Sequence, residues 1–174
     1  MLPWGDLKRQ KDFLYDNLAE EDTIFLRPNS GLKTFTGKLI YKELFDNDLN
    51  ILAYKDPEDH EIVIAAPPRM VMNEWRFIVV DKEVITGSQY RFMQQSILRL
   101  NDDQKALNLA QEIAIQDYQP SLVWVIDICQ TKSGNYYLLE VGCFSCAGLY
   151  ACDLEIIVDK VSKAALKEWG DYQI

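Results

Sequence analysis

Apolar residues recur along this chain with two periods, and those periods sort it into helices and strands. Between Leu7 and Glu20 the apolar positions Leu7, Phe13, Leu14 and Leu18 fall near one face at helical spacing. Thr23-Ile24-Phe25-Leu26-Arg27-Pro28 reads as a short strand closed by its proline, and Asn29-Ser30-Gly31 as a turn. Leu39 to Phe45 resumes apolar character as a short helix, and Ile51 to Tyr54 as a strand. Glu61 to Ala66 predicts a strand that stops at Pro67-Pro68. Met70 to Val80 predicts a long one, paired with Glu83 to Gln89 across the tight turn Val80-Asp81-Lys82. Asp103 to Gln116 is a helix, capped from Asn101-Asp102-Asp103, with Ala106, Leu107, Leu109, Ala110 and Ile113 on its apolar side. Ser121 to Cys129 and Tyr136 to Val141 are strands, and Leu154 to Trp169 is a closing helix. The pattern is that of an α+β chain dominated by antiparallel sheet.

Two strands break their own pattern. Leu122-Val123-Trp124-Val125-Ile126-Asp127-Ile128-Cys129 is apolar on both faces except at Asp127, and Tyr136-Tyr137-Leu138-Leu139-Glu140-Val141 has the same oddity at Glu140. An ionised carboxylate in a buried strand is costly unless it is paired or bound to a metal. With Ser133-Gly134 as a two-residue hairpin turn, Lys132 faces Asn135, and Asp127 then stands directly across from Glu140. Like charges in that position destabilise a sheet, and a divalent cation between them reverses the sign of the effect. Either each carboxylate meets an Arg or Lys, or the turn is longer and the register differs, or the pair holds a metal. Oxygen-only ligands favour Mg²⁺ over zinc.

A third interruption is Glu74-Trp75-Arg76-Phe77-Ile78-Val79-Val80, where Glu74 and Arg76 share a face with Ile78 and Val80, and where pairing with each other or a place at the strand's exposed end is the alternative to a functional role. The neighbouring strand runs on into Gln89-Tyr90-Arg91, which brings Arg91 towards the same polar face. Cations beside a carboxylate pair suggest a polyphosphate ligand, with Arg and Lys holding oxygens and Mg²⁺ bridging them. Arg27, Lys33 and Lys38 surround the small residues Asn29-Ser30-Gly31 and Thr34-Phe35-Thr36-Gly37, which allow close backbone approach to phosphates. A solvated surface loop is the alternative there, and no Walker A sequence is present.

Composition narrows the classes. The 174 residues carry 18 Lys+Arg against 27 Asp+Glu, a net charge of −9. That charge argues against broad binding to nucleic acid or to an anionic membrane. No apolar run reaches the ~18 residues of a membrane span, and the N-terminus lacks the apolar core of a signal peptide. A cytoplasmic protein with reduced thiols is expected. Cys143-Phe144-Ser145-Cys146, with Cys129 and Cys152, lacks a second Cys-x2-Cys, so ordinary thiols are expected rather than zinc. His60, flanked by Asp59 and Glu61, is the only histidine, which excludes a paired-histidine metal site.

The order of these fragments resembles one clade of the ATP-grasp superfamily, named for two arginines and one lysine and found largely in phages and bacteria. The resemblance rests on Phe25 to Gly37, Pro67-Pro68, Glu74-Trp75-Arg76-Phe77, Ser88-Gln89-Tyr90-Arg91, Asp127, Glu140 and Ala147-Gly148-Leu149-Tyr150. It implies an ATP-grasp fold: a smaller lobe at about residues 1–66 and a larger catalytic lobe at about 67–174, with a nucleotide cleft between them. It implies Mg²⁺ on Asp127 and Glu140, ATP phosphates at Lys33 and Arg27, with Lys38 and Glu74 also in the nucleotide site, and Arg76 and Arg91 as phosphate or transition-state cations. Val63-Ile64-Ala65-Ala66 resembles the hinge whose backbone reads adenine, with Ala65 and Ala66 at the base.

Family members of assigned chemistry are mostly ligases that phosphorylate a carboxylate and let an amine attack the acyl phosphate. The resemblance therefore implies a carboxylate–amine ligase acting on a peptide or protein. Many relatives place Asn two residues after the metal Glu, and this chain has Gly142 there. The usual preceding N-terminal domain is not found ahead of the first motif, so a partner subunit or self-association is expected to replace it. A nucleotide-binding or assembly protein that kept the fold and lost turnover is the competing expectation. Covalent nucleotidyl transfer through Lys33 ranks last, because its spacing to Gly37 is one residue too long for that class.

Overall fold

The computed structural model describes residues 1–30, 34–93 and 95–171. Its contacts divide the chain into two units, Met1–Arg69 and Met70–Ile174. In the first unit the elements are β1 (Leu2–Pro3), α1 (Lys11–Leu18), β2 (Thr23–Pro28), β3 (Lys38–Tyr41), α2 (Phe45–Ala53) and β4 (Ile62–Ala66). The strands form one antiparallel sheet in the order β1-β4-β2-β3. Its buried face supplies Ile24, Leu26, Ile40 and Val63 to a core with Leu7, Leu14, Phe45, Leu49 and Leu52. Burying side chains of this size is worth roughly 1.5–3 kcal/mol each, which is what holds so short a sheet together.

Three expectations in this unit are corrected. The first helix begins at Lys11, because Leu7 is wholly buried and the chain around it turns instead: Leu7 N–H donates to Trp4 O, and Trp4 N–H is tied to Glu61 O at 2.8 Å. The helix expected over Leu39 to Phe45 is a strand from Lys38 to Tyr41, in which Leu39 and Tyr41 are exposed and Ile40 is buried, a period of two. The strand expected over Ile51 to Tyr54 is the end of α2, whose buried Phe45, Leu49 and Leu52 recur at helical spacing. Asp46 and Asp48 in its first turn suit the positive end of the helix dipole.

The second unit contains β5 (Val71–Val80), β6 (Glu83–Phe92), β7 (Gln95–Leu100), α3 (Gln104–Ala114), β8 (Val123–Thr131), β9 (Tyr136–Cys143) and α4 (Leu154–Asp171). The sheet order is β7-β6-β5-β8-β9, antiparallel throughout. Strand β7 was not expected: it is an edge strand, mostly exposed on both faces, so its sequence carries no clear alternation. The β5–β6 turn is made at Asp81 (φ 49°) and Lys82 (φ 68°), a left-handed pair that hairpins favour.

Residues Trp75, Phe77 and Val79 of β5 and Trp124, Ile126 and Ile128 of β8 pack under α3, which meets them with Ala106, Ala110 and Ala114. Alanines let the helix lie close on a sheet crowded with large side chains. Gly87 sits opposite Phe77, whose ring occupies the space a Cβ would need. Asp103 caps α3 by accepting from the N–H of Lys105 and Ala106, each at 2.9 Å. The reverse face is apolar only under α4, where Ile78, Val125, Cys152 and Ile157 form a small cluster. Among the described residues no helix is long and apolar enough to cross a membrane.

Candidate active site on the second unit

Beyond α4, the reverse face of the five-stranded sheet turns polar. Strand pairing sets Ser88, Arg76, Asp127 and Glu140 side by side across β6, β5, β8 and β9. Two positions further along β5, Glu74 lies opposite Arg91 on one side and Cys129 on the other.

Two bulges assemble this face. Pairing passes from Glu74–Arg91 to Trp75–Gln89, leaving Tyr90 as the extra residue on β6. It also passes from Asp127–Glu140 to Ile128–Leu138, leaving Leu139 extra on β9. The expected two-residue turn at Ser133-Gly134 is corrected here. The β8–β9 connection is longer, with Thr131 N–H donating to Asn135 O, Gly134 N–H donating to Thr131 O, and Gly134 at φ +83°. That offset would oppose Asp127 to Leu139, and the bulge restores Asp127 opposite Glu140. Bulges are common beside active sites because they re-aim side chains.

Asp127 is 3% exposed, and its charge is met from the neighbouring strand. Arg76 donates Nε–H to Oδ1 at 2.8 Å and Nη2–H to Oδ2 at 2.7 Å, a bidentate pair. Arg91 Nη1–H donates to Glu74 Oε1 at 3.0 Å, so Glu74 and Arg76 each pair with another partner rather than with each other. The Tyr90 hydroxyl donates to Glu74 Oε2 at 2.7 Å and lies 3.4 Å from Asp127 Oδ2. Its ring stacks on Tyr150 with centroids 4.8 Å apart. Burial first, then the charges of Asp127 and Glu74, push the Tyr90 phenol well above its ordinary value and keep it a donor. The hydrogen bond to Asp127 holds Arg76 more firmly protonated, against the opposing effect of burial. Burial likewise raises the Cys129 thiol, and pushes Cys152 up to about 11, so neither is primed as a nucleophile.

The donor set at the carboxylates is oxygen only. Among the described residues no group of three or more His, Cys, Asp or Glu side chains could hold a metal. Two facing carboxylates nevertheless fit Mg²⁺, which is commonly held by one or two carboxylates together with substrate phosphates and water. The four cysteines are unpaired, with Cys143 and Cys146 exposed. His60 meets Glu58, in a solvated loop.

The described site residues expected in the first unit all lie on its own sheet. Arg27 is exposed on β2, opposite Ile64. Lys38 donates to the buried Asp48 at 2.6 Å. Ala65 and Ala66 pair with Leu26 and Phe25 of β2, and extend past β1, which pairs only with Ile62 and Val63. Lys33 and Gly31 lie outside the described residues. Sequence reasoning gave no role to Tyr90 or Tyr150. The available signal was a tyrosine between Gln89 and Arg91 in a strand that already carried a charge.

A model of the ATP-grasp domain, second family of the clade named for two arginines and one lysine, matches residues 9–159. No curated protein matches the chain. Among solved structures, the chain is similar to D-alanine–D-alanine ligase from Bacillus anthracis, with 15% identity, TM-score 0.59, and 95% of this chain and 59% of that one covered. It is similar to D-cycloserine synthetase DcsG at 15% identity and TM-score 0.54, over 81% of this chain and 54% of that one. It is also similar to the ATP-grasp ligase PsnB bound to a minimal precursor, at 14% identity and TM-score 0.52, over 85% and 49%. The chain thus spans 49% to 59% of the length of these structures.

Proposed function

The chain belongs to the two-arginine, one-lysine clade of the ATP-grasp domains, and on that premise we propose that it is an ATP- and Mg²⁺-dependent carboxylate–amine ligase working through an acyl phosphate. The observation that carries the reading is the pairing of Asp127 with Glu140 on one sheet face, with Arg76, Glu74 and Arg91 beside them. Asp127 and Glu140 would hold Mg²⁺, which when bound neutralises phosphate charge during transfer. Arg91, whose side chain is 47% exposed, would reach a phosphate oxygen from its place on Glu74. Lys33, Arg27 and Lys38 are the proposed contacts from the first unit, and the backbone of Ala65 and Ala66 the proposed adenine reader. Residues 1–66 and 67–174 would be the two lobes of one ATP-grasp domain. Phosphoryl transfer needs positioning and charge neutralisation more than a protein nucleophile, which agrees with the raised thiols on this face.

The acceptor is proposed to be a peptide or protein, because PsnB, of the same fold, is described with a bound precursor. The net charge of −9 disfavours nucleic acid and membrane surfaces as partners, and the proposed setting is the cytoplasm. The test is calorimetric titration of a non-hydrolysable ATP analogue with and without Mg²⁺, on wild type and Asp127→Ala. Metal-dependent binding that disappears in the variant is expected. Equal binding by both proteins would overturn the assignment of Asp127.

Gly142 favours a second reading, a nucleotide-binding or assembly protein with reduced turnover. A Cβ at Gly142 would lie 3.1 Å from Val125 Cγ2, so this strand has little room for the asparagine many relatives carry. Phosphate release with Mg²⁺-ATP and a peptide pool separates the two: a ligase releases phosphate, a scaffold binds and does not.

A further inference from the structure

The two arginines of the polar face are held in different ways. Arg91 makes one ion pair and leaves half of its side chain in solvent, whereas Arg76 has only 15% of its side chain exposed. Arg76 spends Nε–H and Nη2–H on the two oxygens of Asp127, directly across the strand pair, and Nη1–H reaches Gly148 O at 3.4 Å. Its guanidinium carbon lies 5.7 Å from the ring centroid of Tyr90 and 5.2 Å from that of Tyr150, within cation–π range of both.

The clamp is itself anchored. Tyr150 adopts φ +51°, a left-handed conformation that a bulky side chain keeps only where its surroundings fix it. The next residues are tied to β6: Ala151 N–H donates to Ser88 Oγ at 3.1 Å and Asp153 N–H to Thr86 Oγ1 at 3.0 Å. A cation meant to follow a moving phosphate would not be held against a stacked pair of rings and tied through three of its N–H groups as well.

We infer that Arg76, clamped beside Tyr90 and Tyr150, is a positioning residue for Asp127 and not a phosphate-contacting cation. This rests on the reading of Asp127 as the Mg²⁺ ligand. Each carboxylate oxygen has two acceptor sites. The fork of Arg76 takes one on each oxygen and fixes the carboxylate plane, so the remaining lone pairs have a set direction. Metal-ligating carboxylates are generally held by such a second partner, and removing that partner typically costs 10–100-fold in metal affinity.

The experiment follows Mn²⁺, as a probe for Mg²⁺, by water-proton relaxation in the presence of a non-hydrolysable ATP analogue. Analogue binding is measured separately by calorimetry in EDTA. Arg76→Gln is expected to weaken Mn²⁺ binding about 10–100-fold and to leave metal-free nucleotide binding within about twofold. Tyr150→Ala is expected to weaken Mn²⁺ binding in the same direction but less, and Tyr150→Phe, which keeps the ring, to retain wild-type affinity. Tyr150→Ala also serves as the test if Arg76→Gln does not fold. Loss of metal-free nucleotide binding in Arg76→Gln with Mn²⁺ binding unchanged would overturn the inference, as would two unchanged affinities. Absence of Mn²⁺ binding in wild type would overturn the metal reading and this inference with it.

Discussion

On one face of the five-stranded sheet, Trp75, Phe77, Val79, Trp124, Ile126 and Ile128 lie against the alanines of α3. One residue along the same strands, the other face presents Glu74, Arg76 and Asp127, with Tyr90 and Arg91 beside them. Both faces are well filled, but the first rests mainly on apolar burial, with polar contacts only at its rim, such as Tyr136 to Asp103, and with Trp75 Nε1–H buried without a partner among the described residues. Replacing a buried ion pair by apolar residues of similar volume is often neutral or stabilising. A chain required only to fold would do as well with a second apolar face. On the proposed reading the polar face carries the chemistry, and the apolar face supplies the stability that offsets its cost.

The largest expected effect lies on the apolar face. Phe77→Ala should cost about 3–5 kcal/mol, measured by urea unfolding, because Phe77 is wholly buried and the sheet cannot collapse around the lost ring. On the polar face, Asp127→Ala strands Arg76 and should cost about 3 kcal/mol. The double variant Arg76→Met with Asp127→Leu should recover most of that loss while binding no metal. A double variant as unstable as the single one would make the polar face a structural device and break the contrast. Gly87→Ala comes next, at about 1–3 kcal/mol, because the Phe77 ring must leave the place it holds over the glycine.

How much of this could be read from the sequence differs between the two faces for a physical reason. Alternation at 75, 77 and 79 is a statement about burial, and burial follows the pleat. The charges at 74, 76, 127 and 140 were visible as breaks in that alternation, and each lies on the expected face. Their partners were not visible. Asp127 meets Arg76 and Glu74 meets Arg91 through strand order and through a bulge at Tyr90, and a bulge is fixed by tertiary contacts rather than by a local signal. The pairing of Asp127 with Glu140 was legible although the turn used to derive it is longer than assumed, because the bulge at Leu139 compensates by one residue. In the first unit, Leu39 to Phe45 and Ile51 to Tyr54 were exchanged in type because each window is too short for its period to show.

Gly142→Asn tests where, on the reverse face, the apolar patch under α4 gives way to the polar patch. It lies on the Glu140 side of β9, opposite Val125, and the new Cβ would sit 3.1 Å from Val125 Cγ2. Alone it should cost about 1 kcal/mol, the low end for overpacking. Combined with Val125→Ala, which clears the contact, it should tighten Mn²⁺ binding by adding an oxygen donor. Unchanged Mn²⁺ affinity in the combined variant would mean that position 142 does not face the metal.

The smallest expected effect is a pH dependence, and it belongs to the apolar face. Tyr136 stacks on Trp75 with centroids 5.7 Å apart and donates its hydroxyl to Asp103 Oδ2 at 2.8 Å, joining β9 to the cap of α3. Burial first, and then that hydrogen bond, push its phenol up to about 12, whereas an unfolded tyrosine ionises near 10. Below pH ~10 the phenol is protonated in both states, so the stabilisation is fully present. Between about 10 and 12 the unfolded chain gives up the proton first, and stability falls as pH rises through that window. Tyr136→Phe should be less stable than wild type at pH 8, where it lacks the hydrogen bond, and should lose less from pH 9 to 11. Urea midpoints measured across that range on both proteins give the comparison. Parallel curves would show that Tyr136 does not carry the pH dependence, and that the link between the sheet and the α3 cap is made by packing alone.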